Sequence, residues 1–250
     1  MLNTLKILYH QGKQYIPDLR IAKVPGLFRG RPEISFEKTK GTVLADVCPT
    51  NAITPDPVTI DMGKCTFCGE CSRLFPGKIK FTADYKISSN ERQSLIIPEG
   101  LAEPVTLNPA LIRNEIQKLF RGSLKLRQVS AGGDNSCELE LNACGNVNFD
   151  MGRYGIEFVA SPRHADGIVI TGPVSKNMAE PLQITYDATP SPKIIILAGT
   201  DAISGGIFEG SPAIDRKFIE ENYIDLYVPG NPVHPLTFIN GVMDLLGIRG

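Results

Sequence analysis

Tryptophan is absent from this 250-residue chain, and only three histidines occur in it. The missing tryptophan excludes nothing by itself. Other scarcities are more informative. The formal net charge is −1, which gives no electrostatic reason to expect nucleic acid or an acidic substrate as partner. No run approaches the roughly 18–20 apolar residues that a membrane-crossing helix needs. The first residues, Met1 to Lys13, lack the apolar core and small-residue cleavage site of a signal peptide. Neither G-x-G-x-x-G nor a P-loop occurs; Gly132-Gly133 and Gly205-Gly206 read as tight turns after strands, so no NAD, FMN or ATP is expected. Internal repeats and low-complexity tracts are missing too. What remains is an ordinary globular composition, 42% hydrophobic and 21% charged, long enough for two modest domains. The reading is of a cytoplasmic protein, in which six cysteines bind metal more readily than they form disulfides.

Three of those cysteines form Cys65-Thr-Phe-Cys68-Gly-Glu-Cys71, a C-x-x-C-x-x-C run. That spacing wraps three thiolates around one corner of a cubane, unlike the separated C-x-x-C pairs of structural zinc sites. Bacterial ferredoxins repeat C-x-x-C-x-x-C-x-x-x-C-P twice, the fourth cysteine of each run ligating the other cluster. Here Phe75-Pro76 stands where the fourth cysteine of the second run would be, and the first run survives only as Cys48-Pro49. Lys38, Gly41 and Leu44 occupy its other three positions. The losses are selective: one cluster keeps all four ligands, Cys48, Cys65, Cys68 and Cys71, and the other keeps none. This is a two-cluster ferredoxin pattern reduced to one [4Fe–4S] site, with a zinc site or a coincidental cysteine group as the alternative.

Residues 1–30 read as an arm, either flexible or loosely docked, or lying along a partner or a membrane surface. Residues 31–100 are rich in Gly, Pro and Cys and suit a small ferredoxin-like α+β domain organised by metal. A linker at 98–107 leads to a helix from Asn108-Pro109 to Gly122, within a linker-helix region at 101–125. Strands are expected at 124–129, 156–160, 168–171, 193–198 and 224–228, and helices near 137–144, 176–188 and 235–246. Alternation of apolar strands with helices predicts an α/β domain over 126–250 with a parallel sheet.

Several runs in this second half carry a resemblance: Ser161-Pro-Arg-His-Ala-Asp166, Thr171-Gly-Pro-Val174, Pro190-Ser-Pro-Lys193, Ser204-Gly-Gly-Ile-Phe208 and Tyr227-Val-Pro-Gly230. Together they resemble the small, cluster-binding subunit of energy-converting [NiFe] hydrogenases such as formate hydrogenlyase, a family that includes the 20-kDa-type subunit of complex I. Residues 25–100, with Arg29-Gly-Arg-Pro32 ahead of the cysteine motif, resemble the two-cluster ferredoxin subunit of the same complexes. The chain looks like a fusion of the two. The resemblance implies a flavodoxin-like fold for the second half, a hydrogenase-like large subunit and complex I-like membrane subunits as partners, and a peripheral position on the inner face of the cell membrane.

The resemblance also implies a proximal [4Fe–4S] cluster held by four cysteines of the second half. At the corresponding positions stand Asp134, Cys137, Asp201 and Asn231. Thiolates are soft and strongly donating, whereas Asp and Asn oxygens are hard, so the expectation is that this cluster is lost. Cys144 is either a replacement ligand or a small buried residue. His164 is expected at an interface or in proton handling, and His234 at a helix cap or on the surface. No complete active site is expected on the chain. The reading is a scaffold or coupling component that joins the large subunit to the ion-translocating membrane arm. The alternatives are a working electron-transfer subunit with an unusual or partner-supplied cluster, and a free-standing ferredoxin-type carrier or assembly factor.

Overall fold

A computed structural model describes residues 2–12 and 14–248. Helix α1 (Leu2–Gln11) buries none of its residues. Residues 16–20 are seated on the body of the protein, unlike α1. Leu19 is fully buried, and its carbonyl accepts hydrogen bonds from Tyr85 Oη and Asn240 Nδ2, both at 3.0 Å. Ile16 N donates to the carbonyl of Asn148 at 2.9 Å, and Arg20 pairs with Asp244.

Two β-α-β halves follow: β1 (Pro32–Ile34), α2 (Gly41–Asp46) and β2 (Ile53–Pro55), then β3 (Val58–Asp61), α3 (Glu70–Leu74) and β4 (Ile79–Phe81). β1 pairs antiparallel with β4, Ile34 opposite Ile79, and β2 with β3, Ile53 opposite Ile60. β5 (Ile96–Pro98) adds to the free edge of β3. Period-two alternation turns Ile34, Val58 and Ile60 inward.

The second half contains α4 (Asn114–Phe120), β6 (Leu124–Ser130), α5 (Ser136–Ala143), β7 (Ile156–Phe158), β8 (Gly167–Thr171), α6 (Lys176–Ala188), β9 (Ile194–Ala198), α7 (Thr200–Ser204), α8 (Lys217–Glu221), β10 (Leu226–Val228) and α9 (Pro235–Leu246). The strands form one parallel sheet in the order β7-β6-β8-β9-β10, the doubly wound flavodoxin-like arrangement. The helix expected over 109–122 is interrupted. A short turn at Pro109–Leu111, capped by Asn108, precedes α4, because Ile112 and Arg113 are extended. That conformation sends Arg113 to Asp225 at 2.8 Å and to the carbonyl of Lys193 at 2.6 Å.

Alternation along the central strands decides which face each half covers. Val169, Ile194, Ile196 and Ala198 pack with α4, α5 and α9. Ile168, Ile170, Ile195 and Leu197 pack with Leu182 of α6 and, in the same cluster, with Ile34, Leu44, Ile60 and Ile97 of the first half. The halves therefore share one core. Ser89 and Tyr227 exchange backbone hydrogen bonds at 3.0 and 2.7 Å, so a segment of the first half covers the β10 edge of the sheet. The boundary expected at 98–107 is thus preceded by a stretch, Tyr85 to Asn90, that is seated on the second half.

Candidate metal centre

The cysteine motif lies on the loop between β3 and α3. Cys65 N bonds to the carbonyl of Asp61 at 2.9 Å, which starts the loop directly off the strand. Phe67 and Gly69 then take positive φ, 53° and 79°. Left-handed backbone at the non-glycine Phe67 is uncommon and is held only where surroundings demand it; here it curls the chain between Cys65 and Cys68. Cys48 arrives from the end of α2. Cys65 and Cys71 are buried, Cys48 is half-buried and Cys68 is exposed. Backbone amides point at the sulfurs: Ala52 N at Cys48 Sγ, 3.2 Å, and Phe67 N at Cys65 Sγ, 3.3 Å.

The electrostatics reflect the convergence of all four thiols. Burial raises the Cys65 thiol far above its ordinary range, and Cys71, Cys48 and Cys68 raise it further. Cys71 is pushed up to about 11, by burial first and then by Cys68 and Cys48. Ionising all four thiols in this low-dielectric site would be opposed by burial and mutual repulsion, which a bound cationic centre would relieve. No group of three or more His, Cys, Asp or Glu among the described residues closes around a single metal ion. Soft donors, a wrapped loop and amides aimed at sulfur fit an iron–sulfur cluster.

Residues remote in sequence hold this loop. Thr200 Oγ1 donates to the carbonyl of Cys65 at 2.8 Å. Arg29 Nε donates to the carbonyl of Phe67, placing a cation beside the cysteines. Arg92 grips Asp61 with both nitrogens, at 2.8 and 2.6 Å. Nothing in a single sequence couples these positions to the motif. Of the vanished first run, Leu44 is fully buried, a Cβ at Gly41 would collide with the carbonyl of Pro55, and Lys38 is exposed.

The second candidate site lies at the carboxyl ends of β6, β9 and β10, the usual ligand crevice of such sheets. Asp134, Cys137, Asp201 and Asn231 do come together there. Asn231 Nδ2 lies 3.5 Å from Asp201 Oδ1, and Cys137 Sγ packs so close to Gly199 that a Cβ there would sit 2.5 Å from it. Asp134 Oδ1 accepts from Ser136 N and Oγ at 2.9 and 2.6 Å, a local turn that lowers its pKa. Burial pushes the Cys137 thiol up to about 12, with Glu138, Asp201 and Asp134 adding to the rise. Burial, then Asp134 and Glu138, raise the Asp201 carboxyl. Glu138 itself accepts from Ser130 and Thr171 hydroxyls, each at 2.6 Å. One thiol among hard oxygen donors does not fit a cubane.

Cys144 faces away from this crevice. It is fully buried in the core with α9 and donates to the carbonyl of Glu140 at 3.5 Å, so the small-residue reading holds and replacement does not. His164 sits exposed at the end of a short turn. His234 caps α9, Nδ1 accepting from Leu236 N at 3.2 Å, but it is half-buried between Phe28 and Phe149 rather than on the surface. Gly205-Gly206 follows helix α7, not a strand. A cavity of about 220 Å³ lies between the halves, walled by Phe67, Phe28, Glu140, Asn231 and His234.

Residues 135–245 match the family model described as NADH ubiquinone oxidoreductase, 20 Kd subunit. A probable membrane-bound hydrogenase subunit of Pyrococcus furiosus is 36% identical over 115 residues, 46% of this chain and 69% of its own length. Formate hydrogenlyase subunit 7 of Escherichia coli is 33% identical over 151 residues, 60% of this chain and 59% of that protein. A subunit of the NADH-quinone oxidoreductase of Geotalea daltonii is 39% identical over 109 residues, 44% of this chain and 64% of that protein. With its parallel sheet in flavodoxin-like order and these relatives, the chain belongs to the family of the 20-kDa subunit of NADH–ubiquinone oxidoreductase.

Proposed function

We propose that this chain is an iron–sulfur subunit of a membrane-associated, hydrogenase-like or complex I-like assembly. It carries one [4Fe–4S] cluster on Cys48, Cys65, Cys68 and Cys71 in a ferredoxin-like first half, and none in the crevice of the second. The observation that supports this best is the contrast between the two sites: four soft thiols converge on one loop system, whereas the crevice retains one thiol among Asp134, Asp201 and Asn231.

A cluster at the four cysteines would supply one-electron storage. The protein's own part is to wrap it with the 65–71 loop, donate amides to sulfur and hold Arg29 beside it. With no soft site beyond, the second half acts as a scaffold that couples a hydrogenase-like large subunit to complex I-like membrane subunits, on the cytoplasmic face of the membrane. The names of the relatives support partners of this kind. No described helix is long and apolar enough to cross a membrane.

Iron and acid-labile sulfide counted per chain on anaerobically purified protein, beside the EPR spectrum of the reduced sample, test this reading. About four of each with a single S = 1/2 signal is the expected result. About eight with interacting signals would make this a working electron-transfer subunit, and zinc without sulfide would remove the cluster altogether.

A further inference from the structure

Helix α1 stands apart from the rest of the molecule. None of its residues is buried, although the chain immediately after it is pinned by Ile16, Leu19 and Arg20. Leu2, Leu5, Leu8 and Tyr9 are 77%, 60%, 59% and 85% exposed. At 100° per residue these four side chains fall within a single arc of about 120°. Lys6 and His10 lie along one border of that arc, and Asn3, Thr4 and Gln11 lie opposite it, with Ile7 the one apolar residue outside.

Charge indicates what the apolar arc meets. No Asp or Glu precedes Asp18, whereas Lys6, His10 and Lys13 occur in the same stretch. A cation at the border of a short apolar arc suits a surface with negative headgroups over hydrocarbon, into which leucines sink while the lysine stem reaches back to the interface. A protein groove would be expected to offer polar pairs along the helix as well. An amphipathic tyrosine at the border of the arc also suits the headgroup level.

We infer that α1 binds directly to an anionic lipid surface, lying in its plane with Leu2, Leu5, Leu8 and Tyr9 immersed. The chain thereby touches the membrane itself, in addition to any contact made through partner subunits. The inference goes beyond the proposed function, and its test needs neither the cluster nor a partner.

Full-length protein is floated with vesicles of phosphatidylcholine alone and with vesicles of equal parts phosphatidylcholine and phosphatidylglycerol. The expected result is flotation with the anionic vesicles, weakened by salt, and little with the neutral ones. The Leu5→Asp/Leu8→Asp double variant should bind at least about tenfold more weakly. Because α1 contributes nothing to the core, that variant should keep the wild-type melting temperature, so a loss of binding is not a loss of fold. Equal flotation of variant and wild type, or no preference for anionic vesicles, overturns the inference. A concentration-dependent dimer without lipid that the double variant abolishes would assign the arc to a second copy instead and also overturn it.

Discussion

The hydroxyl of Thr200 donates to the carbonyl oxygen of Cys65 at 2.8 Å, joining the first turn of α7 to the cysteine loop of the other half. Thr200 is fully buried, and the next residue is Asp201 of the crevice. Valine at 200 keeps the shape but leaves a buried carbonyl without its donor. Thr200→Val should therefore cost about 1–3 kcal/mol of stability. Urea unfolding followed by circular dichroism would measure that cost, and bleaching of visible absorbance in a chelator should be faster than in wild type. An unchanged bleaching rate would mean that the loop is held without this bond.

Cys68 is the exposed member of the four cysteines, so its replacement disturbs packing least while removing a proposed ligand. A metal-organised domain with its own core would unfold as a unit over residues 31–100. The structure argues for a narrower effect, because Ile34, Ile60 and Ile97 lie in one cluster with Ile168, Ile170 and Leu197 of the central sheet. Cys68→Ser should lose iron and raise amide exchange over residues 65–75. The β2-β3-β5 sheet should stay protected. Global loss of protection in the first half would show that the metal, not the shared core, carries its stability.

That shared core also shows how far the sequence was legible. The strand at 194–198 was readable as an unbroken apolar run, and the helices at 176–188 and 235–246 because each carries its pattern within one segment. The proposed ligand set rests on spacing that is local for three of its cysteines, Cys65, Cys68 and Cys71. Thr200, Arg29 and the Asp61–Arg92 pair were not readable. Each bonds across a wide separation along the chain, and a lone Thr or Arg has no pattern to reveal its partner. The seating of Ser89 on Tyr227 was hidden for the same reason: an edge-strand contact made by polar residues leaves no apolar alternation. The break at Ile112 and Arg113 was missed because helical spacing continues through it, while the pull of Asp225 on Arg113 is tertiary.

Burial and the neighbouring Asp134 and Glu138 hold the Asp201 carboxyl above the ordinary carboxylate range. A carboxyl with a raised folded-state pKa contributes stability that is complete below its unfolded pKa and disappears as pH rises through the folded value. Asp201→Asn cannot ionise and escapes that loss. The variant should gain stability relative to wild type as pH rises from the ordinary carboxylate range to neutrality, with the gain smallest in acid. Urea midpoints of the two proteins across that range check the sign. A difference that does not vary with pH would mean that Asp201 is as well solvated folded as unfolded.

The crevice can be asked whether its chemistry or its shape excludes a second cluster. Asp134, Cys137, Asp201 and Asn231 still surround one space at the strand ends, with Asn231 3.5 Å from Asp201 and Cys137 against Gly199. The backbone that brings them together is set by the sheet, whose β8 and β9 are fully buried, and not by the side chains themselves. Replacing three hard ligands by thiolates should therefore be sufficient. The triple variant Asp134→Cys, Asp201→Cys and Asn231→Cys, reconstituted anaerobically with iron and sulfide, should take up about four more irons per chain than wild type. Its reduced EPR spectrum should show interaction between two centres. If iron stays at the wild-type level while the variant melts as wild type does, the crevice has closed around Cys137, and soft ligands alone cannot reopen it.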